Sequence, residues 1–142
     1  HQPGGDERGQ RRAEDAGLNP LAVLNVVSGQ TFVEQGARNI GADPQEAVTR
    51  LSEKLLQTNG MRLAEETPAP HAPAVKVPTL MAQLHRDFLI DADGDGREIF
   101  EALGAQDKEL YWIEDSNQRF YAYNHFGQHP EKLIGFFDEK MA

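Results

Sequence analysis

Thr79-Leu80-Met81-Ala82-Gln83-Leu84, entered through Val77-Pro78, reads as a strand, and the fold follows from what lies on either side of it. Upstream, Leu21-Ala22-Val23-Leu24-Asn25-Val26-Val27 is short, continuous and β-branched toward its end, bracketed by Asn19-Pro20 and Ser28-Gly29. That pattern predicts a buried parallel strand covered on both faces, with Ser28 closing it. Downstream, Glu109-Leu110-Tyr111-Trp112-Ile113 supplies a third strand.

Helices fall between and after these runs. Asp43 can accept from the free amides of a first turn, Pro44 suits the first helical position and Glu46 lies near the positive dipole end. Val48, Leu51 and Leu55 then share one face, and Asn59-Gly60 stops the helix. Gly96 to Leu103 predicts a short helix ending at Gly104. Pro130 opens a last one, with Leu133, Ile134, Phe137 and Met141 as its apolar stripe, widened by Phe136. Strands alternating with helices imply βαβ units, so the class is α/β: a small three-layer parallel sheet of about three strands with crossover helices.

Along the chain, residues 1 to 19 predict a polar N-terminal segment or surface helix, and residues 20 to 66 a strand plus helices. Residues 67 to 77 form a proline-rich connector, and residues 78 to 142 a C-terminal βαβα unit. Prolines 68, 70 and 73 lack the donor amide, which predicts a semi-rigid, extended connector.

Composition narrows the function. The 142 residues include no cysteine, which excludes a disulfide framework, a zinc ribbon, an iron–sulfur cluster and a thiol nucleophile. Fourteen Lys+Arg against 23 Asp+Glu give a net charge of -9, contrary to what tracking a nucleic-acid backbone requires. No apolar run approaches the roughly 20 residues of a membrane helix. The expectation is a soluble, cytoplasmic protein with neither a nucleic-acid nor a membrane partner.

Val77-Pro78-Thr79-Leu80, an acidic residue after that strand, Asp107-Lys108-Glu109-Leu110-Tyr111-Trp112-Ile113-Glu114 and the closing helix together resemble the end of an α/β hydrolase of the dienelactone-hydrolase type. Tyr123-Asn124-His125-Phe126-Gly127-Gln128-His129-Pro130-Glu131 resembles one branch of the same family. The chain would then correspond to the last three strands of that sheet, truncated or degenerate. The resemblance implies a nucleophile, acid and base in that chain order, with the nucleophile on a G-x-S-x-G turn. Asp87 falls at the acid position. Gln118 occupies the usual histidine position, and an amide cannot take the nucleophile's proton, so ordinary triad chemistry needs His125 to reach back as a substitute base.

No nucleophile can be assigned. His1-Gln2-Pro3-Gly4-Gly5 puts Gln2 where one would stand, Ser28 closes a strand, Ser52 sits within a helix and Ser116 in a turn.

Asp91-Ala92-Asp93-Gly94-Asp95-Gly96-Arg97 matches the start of an EF-hand loop, in which Asp91, Asp93 and Asp95 would supply oxygens and Gly96 the bend. Its twelfth position is Ala102. Glu101, one residue early, is rotated by about 100° on a helix. The plainer reading is an acidic turn capping the following helix, so no cofactor is expected and calcium is the weaker alternative. His85, His125 and His129 are not spaced as metal ligands on one helix. Trp112, Phe120, Tyr121, Tyr123 and Phe126 are expected to pack in core and loops.

Two functions follow. The first is a non-catalytic binding or assembly module with a small-molecule ligand beside Asp87 and the 120–125 loop. The second is half of an ester or lactone hydrolase completed by another chain. The unguarded Leu21–Val27 edge predicts either a homo-oligomer or a partner supplying the missing N-terminal half.

Overall fold

A computed structural model describes residues 19–88 and 92–142. Expectations for residues 1 to 18, including the Gln2 register and most of the polar N-terminal segment, lie outside them, as does Asp91. Three strands, β1 (Leu21–Leu24), β2 (Thr79–Leu84) and β3 (Lys108–Ile113), form one parallel sheet in the order β1-β2-β3. Leu21 pairs with Thr79, and Thr79 in turn with Lys108, so all three strands begin level; β2 and β3 also end together, whereas β1 stops at Leu24 opposite Ala82. Every residue of β2 is buried. That suits a central strand rich in apolar side chains, and Leu80, Met81, Leu84 and Ile113 are the largest fully buried apolar residues. The class is α/β.

β1 is shorter and less covered than its sequence suggests. Asn25 adopts a left-handed backbone with φ of 52°, a conformation asparagine tolerates, and extension stops there. Instead of being buried on both faces, β1 is partly exposed throughout, because it pairs on one edge only among the described residues. Ser28 does not close a strand. It caps α1 (Gly29–Asn39), its hydroxyl accepting from the Thr31 amide at 3.2 Å.

α2 (Pro44–Asn59) has the bounds its caps specify. Asp43 accepts from the Glu46 amide at 2.7 Å, and Gly60 ends the helix in the left-handed region at φ of 67°. Replacing Asp43 with alanine is expected to cost about 1 kcal/mol, since one first-turn amide loses its acceptor. Thermal unfolding should show it as a drop of about 3 °C. The connector is not extended: Ala72–Ala74 closes a 3-10 turn whose Ala72 is buried.

Between β2 and β3 the chain makes a π-helical turn (Ala92–Gly96) and α3 (Arg97–Ala102). Lys108 finishes α3 from outside, donating to the carbonyls of Phe100, Glu101 and Leu103 at 2.9, 3.0 and 3.1 Å. A cation on the last carbonyls opposes the negative dipole end. After β3 come α4 (Arg119–Tyr123), α5 (His125–Gln128) and α6 (Glu131–Met141). On α6 the inward residue is Phe136. Ile134 and Met141, expected in the apolar stripe, are exposed.

Candidate functional site

Because the three strands run parallel, the residues that follow them lie along one edge: Asn25 after β1, His85 to Asp87 after β2, and Glu114 and Asp115 after β3. The carboxyl edge of an open α/β sheet is where such folds bind ligands.

Asn25 ties the first two strands at this edge. Its backbone amide donates to Ala82 at 2.9 Å, and its side-chain oxygen accepts from the Leu84 amide at 2.8 Å. Gln83 adds a bond from its side-chain amide to the Val26 carbonyl at 2.9 Å.

Asp87, the acid implied by resemblance, is at this edge with its side chain fully out of solvent, and its partner is Arg119. The Arg119 Nη1 donates to Asp87 Oδ2 at 3.2 Å, Nη2 to the Asn25 carbonyl at 3.2 Å, and Nε to the Tyr123 hydroxyl at 2.8 Å. The rings of Phe32 and Tyr123 lie 5.9 and 5.7 Å from the guanidinium carbon. One cation therefore joins α1, the ends of β1 and β2, and α4. Arg119 escaped the sequence reading because its partners are 32 and 94 residues away, and no local motif marks it.

His125 is also buried, but in different company. Its Nδ1 is 2.9 Å from Asp115 Oδ2, and its Nε2 is 3.2 Å from the Tyr111 hydroxyl. A carboxylate only accepts, so Nδ1 carries the proton, and in the neutral ring Nε2 accepts from the tyrosine. His125, the substitute base of the sequence reading, is therefore hydrogen-bonded to Asp115 and Tyr111. Ten residues separate His125 from its acid.

Gln118 is exposed, precedes α4 without a side-chain capping bond, and its backbone amide donates to the Ser116 hydroxyl at 3.0 Å. Ser52 lies within α2 and is partly exposed. Neither Ser28 nor Ser116 stands on a strand-to-helix elbow of the triad kind: Ser28 caps α1, and Ser116 sits in the turn after β3.

Of the acidic loop, Asp93 faces His85 at 3.2 Å and Arg97 at 3.4 Å, whereas Asp95 Oδ2 accepts from the Ser28 amide at 2.6 Å. Glu101 is exposed on α3. Asp93 and Asp95 are thus directed to separate protein partners, and among the described residues no group of three His, Asp or Glu side chains is placed to hold a metal ion. Gly96 packs so closely on Gln83 that an added Cβ would overlap the buried side-chain amide. The glycine is therefore explained by packing.

The aromatic residues divide. Phe126 and Tyr111 pack against the Ala82, Leu84, Ile113 and Ala122 cluster, and Trp112 stacks with His85 at 4.5 Å between centroids. Tyr121 and Tyr123 are exposed rather than core.

No family model matches the chain, and no curated protein matches it. Among solved structures, the crystal structure of an alpha/beta hydrolase enzyme from the metagenome of sediments from the Mar Chica lagoon, Morocco, is similar at 17% identity and a TM-score of 0.40. The match covers 94% of this chain and 66% of that enzyme's chain. Among the described residues no helix is long and apolar enough to cross a membrane.

Proposed function

We propose that the chain is a non-catalytic α/β-hydrolase-like module that binds a small molecule at the carboxyl edge of its sheet. The observation that carries this reading is the separation of acid from base. The Asp87 carboxylate is held by Arg119, while His125 is held by Asp115 and Tyr111. Triad chemistry needs the acid to orient the base and the base to reach a nucleophile. A cavity of about 300 Å³ opens nearby between α1, the connector and the π-helical turn, its lining including Ser28, Thr31, Thr67, Asp95 and Glu98. Its size is at the lower end for a small-molecule site. The half-exposed, apolar β1 supports an assembly role through its second edge, for which light scattering should find more than a monomer.

A second reading is a hydrolase half completed by another chain, and the Asp115–His125 pair favours it, because a carboxylate on Nδ1 is how a catalytic base is oriented. A panel of activated esters offered to the purified chain tests the first reading. No turnover above buffer is expected, in the parent and in Asp87→Asn alike. Turnover abolished by His125→Gln and by Asp115→Asn would overturn the binding-module reading.

A further inference from the structure

We propose that His85 is a protonation-dependent clasp joining the end of β3 to the Ala92–Gly96 turn. Its two ring nitrogens face two carboxylates: Nδ1 is 2.7 Å from Glu114 Oε1, and Nε2 is 3.3 and 3.2 Å from the two oxygens of Asp93. An ionised carboxylate has no proton to give, and a neutral imidazole has one N–H. Both contacts therefore form only when both nitrogens are protonated.

The surroundings favour that state. Trp112 of β3 stacks on the imidazole at 4.5 Å, and Arg97 of α3 lies over the same indole at 5.4 Å. Arg97 also reaches Asp93 at 3.4 Å, and Arg86 donates to the Glu114 backbone carbonyl at 2.9 Å. Two anions and two cations thus surround the ring, and only the anions touch its nitrogens. The hydrogen bond to Glu114 is the main cause that holds the His85 proton on above the ordinary histidine value of 6.5; desolvation opposes it and Asp93 adds to it.

Deprotonation releases the weaker partner. The shorter Glu114 bond keeps the remaining proton, and Asp93 is left with Arg97 alone. The turn that carries Asp93 also carries Asp95, which accepts from the Ser28 amide at the start of α1. Loosening it therefore reaches the edge that holds Asn25 and Asp87. With the folded pKa raised, the clasp is fully present below the unfolded value near 6.5 and is lost as pH rises through the folded one.

Long-range proton–nitrogen correlation on the intact labelled chain reads the ring directly, and hydrogen exchange reads the turn. At about pH 6.5 both His85 nitrogens should carry protons. Between about pH 6 and about pH 8.5, exchange of the Ala92–Gly96 amides, corrected for intrinsic rates, should rise several-fold. In Asp93→Asn, which leaves the Glu114 contact in place, that extra pH dependence should vanish while the fold persists; His85→Gln should behave likewise. A neutral His85 at the lower pH, or parent exchange that is flat across the range, would overturn the proposal.

Discussion

Arg119→Ala is expected to lower the free energy of unfolding by about 3 kcal/mol. The argument rests on where the charge sits. The Asp87 side chain has no solvent exposure and the Arg119 side chain only 12%. Removing the cation takes its charge partner from a carboxylate that lies out of solvent. The Asn25 carbonyl and the Tyr123 hydroxyl lose their guanidinium bonds at the same stroke. Thermal unfolding should shift by about 9 °C for a domain of this size. Arg119→Lys keeps the charge but not the planar fork, and should fall between parent and alanine. Adding Asp87→Asn to Arg119→Ala should recover part of the loss, because a neutral amide costs less to bury than an anion. A loss below about 1 kcal/mol for Arg119→Ala would show that the pair behaves as a solvated surface contact. Such a value would also weaken the binding-module reading, in which Asp87 is held by Arg119 rather than reserved for a histidine.

The fold is legible in the sequence where local chemistry decides structure. Asp43-Pro44 and Asn59-Gly60 mark both ends of α2 because a carboxylate on a free amide and a left-handed glycine are one-residue effects. β2 reads as a strand from the short, mostly apolar run after Val77-Pro78, and all six of its residues are buried; Pro130 heralds α6. α1 is not legible. Its one buried residue is Ala37 and its largest apolar side chain, Phe32, is exposed, so helical periodicity of large apolar residues is missing. The end of β1 is misread for a related reason: Val26 and Val27 continue the apolar run, yet the left-handed backbone of Asn25 has already turned the chain.

The candidate site is legible in its residues but not in its pairings. Asp87 and His125 stand out by type and by resemblance, and both are buried at or near the carboxyl edge. Which carboxylate meets which base depends on how β3 and α5 fold back on one another. Asp115 is an unremarkable acid in sequence until the chain from Ile113 to His125 closes on itself. The same holds for His85. As a lone histidine in a loop it carries no signal, and its two carboxylates come from the end of β3 and from the turn before α3, neither of which a local pattern ties to it.

Gly104→Ala is expected to cost about 3 kcal/mol, at the upper end for overpacking, because the obstacle is main chain. A Cβ at Gly104 would overlap the Pro73 backbone carbonyl, with the Lys76 ammonium crowding it from another side. A side-chain end could swing away; this carbonyl is fixed by the 3-10 turn in which Ala72 is buried and whose Ala72 carbonyl accepts from the Gly104 amide at 3.1 Å. Relief requires the connector to lift, which breaks that bond and exposes Ala72 together with its buried neighbour in sequence to Gly104, Ala105. Urea unfolding should report a lower midpoint with an unchanged slope, since the surface exposed on complete unfolding stays the same. Gly135→Ala provides the opposite sign. It lies within α6 with nothing within 4 Å of an added Cβ, and alanine restricts the unfolded chain more than glycine does. A gain of about 0.5 to 1 kcal/mol is expected there. If both glycines respond alike, close approach of the connector is not what selects Gly104, and the connector is held against α3 by other contacts.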